Sequence, residues 1–258
     1  MAMKKRIKIQ SKLKWEVAIL ILVVVMVLAI MPGSIITKVQ QITSADIIVL
    51  DPGHGGRDRG ADSALGINEK DINLAIAMYI KELAEIDGWK VVMTRDKDVG
   101  LYNEQDRGIR SLKTQDLLGR KKIIEKVKPN LAVSIHLNSF KQDTSVRGAQ
   151  TFFPLGVGDQ IVLDDSKRLA ENIQEKLVMG IADGTDRAAL GKRDVLLFKK
   201  PIVPMAMVEC GFLSNRAEAE LLQSEDYQRK LAKFIYEGIM KYSGKEPKIP
   251  VETIDSRG

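Results

Sequence analysis

From residue 46 onward, short apolar runs ending in turn residues alternate with amphipathic stretches of about 15 residues, and few folds accommodate that alternation. Ile47-Ile48-Val49-Leu50 runs uninterrupted into Asp51-Pro52-Gly53, which reads as a buried strand closed by a turn. After Asn68, an N-cap type of residue, Ile72, Ile76, Tyr79, Leu83 and Ile86 recur at steps of four and three until Gly88, the pattern of one helix face. Trp89 to Thr94 alternates as a strand, a helical pattern runs from Asp106 to Lys126 ahead of Pro129, and Leu131 to Leu137 is the next strand. Gly148 to Phe153 reads as another, followed by a helix over Lys167 to Met179 and short apolar segments at Val195 to Phe198 and Val203 to Val208. Leu221 and then Tyr227 to Tyr242 close the pattern as helices, with Leu231, Phe234, Ile235, Ile239 and Tyr242 on one face. The expectation is a single α/β domain over residues 46–243, with a central, mostly parallel or mixed β-sheet covered by helices on both faces. In such sheets ligands bind at the carboxyl ends of the strands. Residues 244–258 lack apolar periodicity and read as a flexible tail.

The N-terminus has a different character. Lys4, Lys5, Arg6, Lys8, Lys12 and Lys14 face Glu16 alone in residues 1–16, so the net charge of +6 belongs almost wholly to this segment. The rest of the chain has no broad basic footprint, and a nucleic-acid partner is not expected. Val17 to Met31 is apolar and uncharged, and the stretch 17–36, at 1.5 Å per residue, spans a ~30 Å hydrocarbon core. It reads as a transmembrane anchor, or as a signal peptide cut near Pro32-Gly33-Ser34. On either reading residues 1–16 stay in the cytoplasm, 37–45 form a linker, and the domain is extracytoplasmic, membrane-anchored or secreted. A single cysteine, Cys210, offers no intramolecular disulfide, so the core alone must hold the domain.

The chain has two histidines, and both stand at predicted strand ends, His54 in DPGHGG and His136 in SIHLNS. Two neutral imidazoles make half a zinc site, and a catalytic zinc commonly adds a carboxylate and leaves one position open. Glu69 is a candidate, since it starts the helix after the DPGHGG turn; taken by itself it is a solvated glutamate complementing the helix dipole. Glu209 follows the apolar Val203 to Val208, where an unpaired carboxylate is costly; it is either salt-bridged or a general base beside a metal. There is no HExxH pair.

Taken in order, VLDPGHGG with the following Asp58 and Ala61, Glu69 with Asn73, SIHLNS, RGAQTFF at Arg147 to Phe153, and VECGFLSN at Val208 to Asn215 resemble the zinc-dependent N-acetylmuramoyl-L-alanine amidases. The resemblance implies that His54, Glu69 and His136 hold Zn²⁺ and that Glu209 activates water to cut the bond between N-acetylmuramic acid and L-alanine in peptidoglycan. It further implies that Gly55 and Gly56 let the turn pass close to the metal, and that Asn138 orients His136 or touches substrate. Arg57 and Arg59 make the turn more basic than is usual in the family, and at least one reads as solvated. Cys210 reads as a buried hydrophobe, not a nucleophile. A short chain with an N-terminal anchor and no wall-binding repeats is similar to the amidases of spore cortex and germination, where stem-peptide removal lets muramic-δ-lactam form. A vegetative cell-separation amidase is the alternative in the same class, and a catalytically silent peptidoglycan-binding protein the alternative outside it. The intact set of His54, Glu69, His136 and Glu209 speaks against the last. An accessory or activator protein is an implied partner, and the charged, Gly-containing stretch from Ala182 to Asp194 is a candidate substrate loop.

Overall fold

In the computed structural model, which describes residues 46–103, 105 and 109–248, the apolar run after Asp46 becomes β1 (Ile47–Pro52), followed by α1 (Glu69–Ile86) and β2 (Lys90–Met93). Then come α2 (Ile109–Val127), β3 (Leu131–Asn138), β4 (Gln150–Pro154) and α3 (Gln160–Ile181). The chain continues through β5 (Leu190–Lys192), a 3₁₀ turn (Leu196–Phe198) and β6 (Met205–Phe212), and ends in α4 (Arg216–Leu222) and α5 (Glu225–Ser243). The predicted segments 1–16, 17–36 and 37–45 and the tail from 249 lie outside the described residues. Among those described, no helix is long and apolar enough to cross a membrane.

The strands form one mixed sheet in the order β2-β1-β3-β6-β4-β5. Every pairing is parallel except β4 with β6. Because side chains alternate across a strand, the continuous apolar runs feed two cores. Ile48, Leu50, Val133, Ile135, Ala206 and Val208 pack beneath α1, α3 and α5, against residues such as Ile76, Ile173 and Ile235. Val49, Ala132, Met205 and Met207 point the other way, onto Ile124 of α2 and Leu197 and Phe198 of the 3₁₀ turn. Each fully buried aliphatic side chain contributes roughly 1.5–3 kcal/mol, so these layers hold the sheet without a disulfide. Cys210, fully buried in the first core with burial raising its thiol pKa well above the ordinary value, is the hydrophobe expected of it.

Three boundaries differ from the sequence expectation. Helix α3 begins at Gln160 rather than Lys167, because Asp159 accepts a hydrogen bond from the Ile161 amide at 2.8 Å and caps a first turn whose apolar residues, Ile161, Val162 and Leu163, are consecutive and show no helical period. Strand β6 starts after Pro204, whose missing N–H suits a strand end, and runs past Glu209 to Phe212, because β3 and β4 pair with it on both sides. Glu209 therefore sits within the ladder and does not terminate it. Strand β5 lies in the stretch read as a loop, a three-residue edge strand too short to carry a period.

Register then sets the site. On the α2 face, Asp51 pairs with Ser134 and Ser134 with Met207, while one row further along His136 pairs with Glu209 and Glu209 with Gln150. That second row lies towards the carboxyl ends of β3 and β6.

Candidate metal centre

His54 holds a left-handed backbone, φ 62°, which costs a residue other than glycine about 1–3 kcal/mol and persists only when its surroundings dictate it. Two buried guanidinium groups do so. Arg95 donates to the carbonyls of Pro52 and Gly53, both at 2.9 Å, and Arg120 donates to those of Pro52 at 2.6 Å and His54 at 2.5 Å. Three successive carbonyls of the turn are thus held from below. Arg120 is only 1% exposed; its charge is balanced by Asp51 at 2.8 Å and Asp116 at 2.5 Å. Asp51 in turn accepts from Thr94 and Ser134, each at 2.6 Å.

The glycines have roles more local than the sequence implied. A Cβ on Gly53 would lie 2.1 Å from the His136 ring, so the second imidazole rests directly on the turn. At Gly55 a Cβ would lie 2.2 Å from the Val99 carbonyl and at Gly56 2.4 Å from the Tyr102 hydroxyl, so both make room for the 95–102 loop. Asp98 of that loop accepts from the Gly56 amide at 2.7 Å and pairs with Lys70 at 2.6 Å.

Glu69, the first residue of α1, turns inward and is 1% exposed, unlike a solvated first-turn glutamate. Its carboxylate accepts from the amides of Ala61 at 2.6 Å and Leu137 at 2.9 Å and from Asn73 Nδ2 at 3.0 Å. The remaining edges face the histidines, with His54 Nε2 at 3.1 Å from Oε2 and His136 Nδ1 at 3.1 Å from Oε1. The other His54 nitrogen, Nδ1, is taken by Asp58 Oδ2 at 2.8 Å. The two rings stand nearly edge to face, 4.9 Å apart, and one ligand atom from each of His54, Glu69 and His136 falls within 4.8 Å of the others.

Burial alone would lower the His54 pKa, but hydrogen bonds and charge from Asp58 and Glu69 reverse that and push it up to about 9. Burial would likewise raise Glu69, and the two imidazoles outweigh it, holding the carboxyl well below its usual range. A cluster that draws in a proton this strongly is one that a divalent cation could neutralise instead. The donor set, two imidazoles and one carboxylate, is that of a catalytic zinc site with an open position.

Beside it stands Glu209, 8% exposed, with Oε2 buried and unpaired among the described residues. Burial is the main cause of a carboxyl pKa raised above the ordinary value, with His136 opposing and Glu69 adding to the rise. No salt bridge to Glu209 is found among the described residues. A cavity of about 110 Å³ opens next to both imidazoles, bounded by Asp58, Lys113, Leu117 and Met207.

Asn138, expected to orient His136 or touch substrate, accepts from the Ser139 amide at 2.8 Å through Oδ1, and its carbonyl accepts from Leu213; no bond from it to His136 is found among the described residues. Arg57 and Arg59 both lie exposed on the turn. The residues that do orient the ligands, Asp58, Asn73, Arg95 and Arg120, received no role in the sequence reading. For Arg120 a signal existed: Leu112, Asp116, Arg120 and Ile124 recur at steps of four, and a charged pair within an inward stripe marks a buried ion pair.

Residues 48–241 match the model of the N-acetylmuramoyl-L-alanine amidase family. The germination-specific N-acetylmuramoyl-L-alanine amidase of Bacillus subtilis is 37% identical over 199 residues, 77% of this chain and 80% of the relative. Among solved structures, the CwlD amidase of Clostridioides difficile, in complex with the GerS lipoprotein, is 41% identical with a TM-score of 0.72, covering 77% of this chain and 98% of that one. The amidase AmiC2 of Nostoc punctiforme is 29% identical with a TM-score of 0.65, covering 78% and 99%. With a family model matching residues 48–241 and a relative 37% identical over 80% of its length, the chain belongs to the N-acetylmuramoyl-L-alanine amidases.

Proposed function

We propose that His54, Glu69 and His136 hold one Zn²⁺, that Glu209 is the general base for water attacking the amide between N-acetylmuramic acid and L-alanine, and that the substrate is spore-cortex peptidoglycan. The observation that carries the reading is the convergence of three ligand atoms within 4.8 Å beside a carboxylate whose Oε2 has no partner. When bound, zinc supplies a Lewis acid that polarises the scissile carbonyl and brings the pKa of water to ~7. The remaining work belongs to the chain. Asp58 accepts a hydrogen bond from His54 Nδ1–H and so leaves the Nε2 lone pair facing Glu69 and His136. Glu209, level with His136 across the β3–β6 ladder, accepts the water proton and returns it to the departing amine.

The cortex assignment is supported by similarity to the germination-specific amidase of B. subtilis and to CwlD of C. difficile. The latter was solved with a lipoprotein, and an accessory protein of that kind is proposed here as well. The N-terminal apolar segment would keep the domain outside the membrane, tethered or released. Two measurements test the reading. Metal analysis of the full-length chain should find one zinc that a His136→Ala variant has lost; equal zinc in both contradicts the ligand set. Spores lacking this protein should be depleted of muramic-δ-lactam, and an unchanged lactam content contradicts the cortex role.

A further inference from the structure

The end of the sheet opposite the metal centre carries an exposed apolar surface. Strand β4 runs antiparallel to β6, so its carboxyl end, with that of β5, lies at the amino ends of β1, β3 and β6. There the chain passes through Leu155-Gly156-Val157-Gly158 into the first turn of α3, leaving Val157 76% and Ile161 73% exposed. Leu155, also exposed, lies over Gly191 of β5, where an added Cβ would meet its Cδ2 at 3.0 Å. A Cβ on Gly158 would lie 3.2 Å from Pro201 Cδ, which brings exposed Ile202 to the same loop. Leu190, half exposed, extends this surface along the β5 edge. A patch gathered from three segments differs from apolar residues scattered singly over a surface, and marks an interaction site.

The rim of the patch is basic. Lys128, Arg193, Lys199 and Lys200 are exposed at the same end, and no ion pair to any of them is found among the described residues. Asp159, which caps α3, and exposed Asp194 are the acids in the same loops. The chain also enters here, since Asp46 stands at the amino end of β1, where its carbonyl accepts from the Lys90 amide at 2.8 Å. Residues 37–45 precede it and span at most ~30 Å when fully extended, so an apolar segment 17–36 lodged in a bilayer would hold this end near the lipid surface. We infer that this end of the domain docks on an anionic lipid bilayer, with Val157 and Ile161 entering the headgroup region and Arg193, Lys199 and Lys200 pairing with lipid phosphates. The inference rests on the membrane reading of the N-terminal segment, which brings the domain to lipid. Apolar side chains ringed by Lys and Arg suit that boundary, and each cation near the surface strengthens attraction to anionic lipid. The metal centre, at the other end of the strands, then faces away from lipid and towards the wall.

The test uses the full-length chain reconstituted in vesicles of phosphatidylglycerol and phosphatidylethanolamine. Cys210 is buried and is the only cysteine, so Val157→Cys accepts a fluorophore at the patch, and Leu221→Cys, exposed in α4 beyond the carboxyl end of β6, serves as the control. Nitroxide-bearing lipid should quench the label at 157 roughly twofold or more and the label at 221 by less than about a fifth. Lys199→Glu combined with Lys200→Glu should remove most of the quenching at 157. No quenching at 157, equal quenching at both positions, or quenching that survives the double charge reversal would overturn the inference. A change in emission at 157 that needs no vesicles and grows with protein concentration would assign the face to a second copy and overturn it as well. Failure of the anchor shows differently, as a chain that alkaline carbonate washes from vesicles in which its label at 157 had been quenched.

Discussion

Among the described residues, Glu209 is the buried carboxylate left with an oxygen that has no partner, and the proposed role as base follows from that oxygen. Replacing it with glutamine keeps the shape and removes the base. Glu209→Gln should therefore lower kcat by roughly 10²–10⁴ while bound zinc stays at wild-type stoichiometry; retained turnover by the zinc-loaded variant contradicts the assignment. Asp58 acts one step removed, through His54. Truncating it to alanine should weaken zinc affinity about 10–100-fold in competition with a chromophoric chelator, and an unaltered affinity would leave Asp58 without a role. At this scale the candidate residues were legible and their support was not. His54 and His136 are the chain's two histidines, and the fold brings both to Glu69, with Glu209 level with His136 on the neighbouring strand. Asp58 and Asn73 look like ordinary loop and helix polars, and only folding shows that one faces an imidazole and the other a carboxylate.

Among the elements, α2 and the end of β1 behave as one device. Arg120 ties the helix to Asp51 and to the carbonyls that hold His54 in its left-handed conformation. Arg120→Met leaves Asp51 buried without its counter-charge and should cost about 3–5 kcal/mol in urea unfolding. A loss within error of zero would show that the turn is held by Arg95 alone. The same pair sets an acid limit. Burial pushes the Asp51 carboxyl up, and Arg120, Ser134 and Thr94 together more than reverse it, so its folded pKa lies below the ordinary value. The unfolded chain then binds that proton more readily; the contribution is fully present above an ordinary carboxylate pKa of ~3.9 and lost as pH falls beneath it. Stability below about pH 4 should fall more steeply in wild type than in Asp51→Asn, and parallel slopes contradict the pairing. The elements legible in the sequence were those buried on both faces, such as β1 and β3, whose apolar runs are unbroken. Strand β5 and the first turn of α3 were not, because a three-residue exposed edge and a run of three consecutive apolar residues carry no helical or strand period to read.

For the whole molecule, the mixed sheet brings His136, Glu209 and Gln150 from three strands to one row, beside the turn after β1 and the start of α1, and zinc would then link α1 to the ends of β1 and β3. Ligand that binds only the folded chain stabilises it, by about 2.7 kcal/mol at a hundredfold excess over Kd. Calorimetry of the full-length chain should show a midpoint several degrees higher with zinc than with chelator, and His136→Ala should abolish the response; an equal shift in the variant places the metal elsewhere. The overall class was legible because alternating strands and helices admit few architectures, whereas the antiparallel β4–β6 pairing was not, since nothing in a five-residue strand states its direction. The most direct test of the account is mass spectrometry of purified peptidoglycan digested by the full-length chain. Stem peptides bearing a free L-alanine amine should be released, and both chelator and Glu209→Ala should abolish their release. Cleavage within the peptide or between sugars, or release that survives the Glu209 substitution, would contradict it.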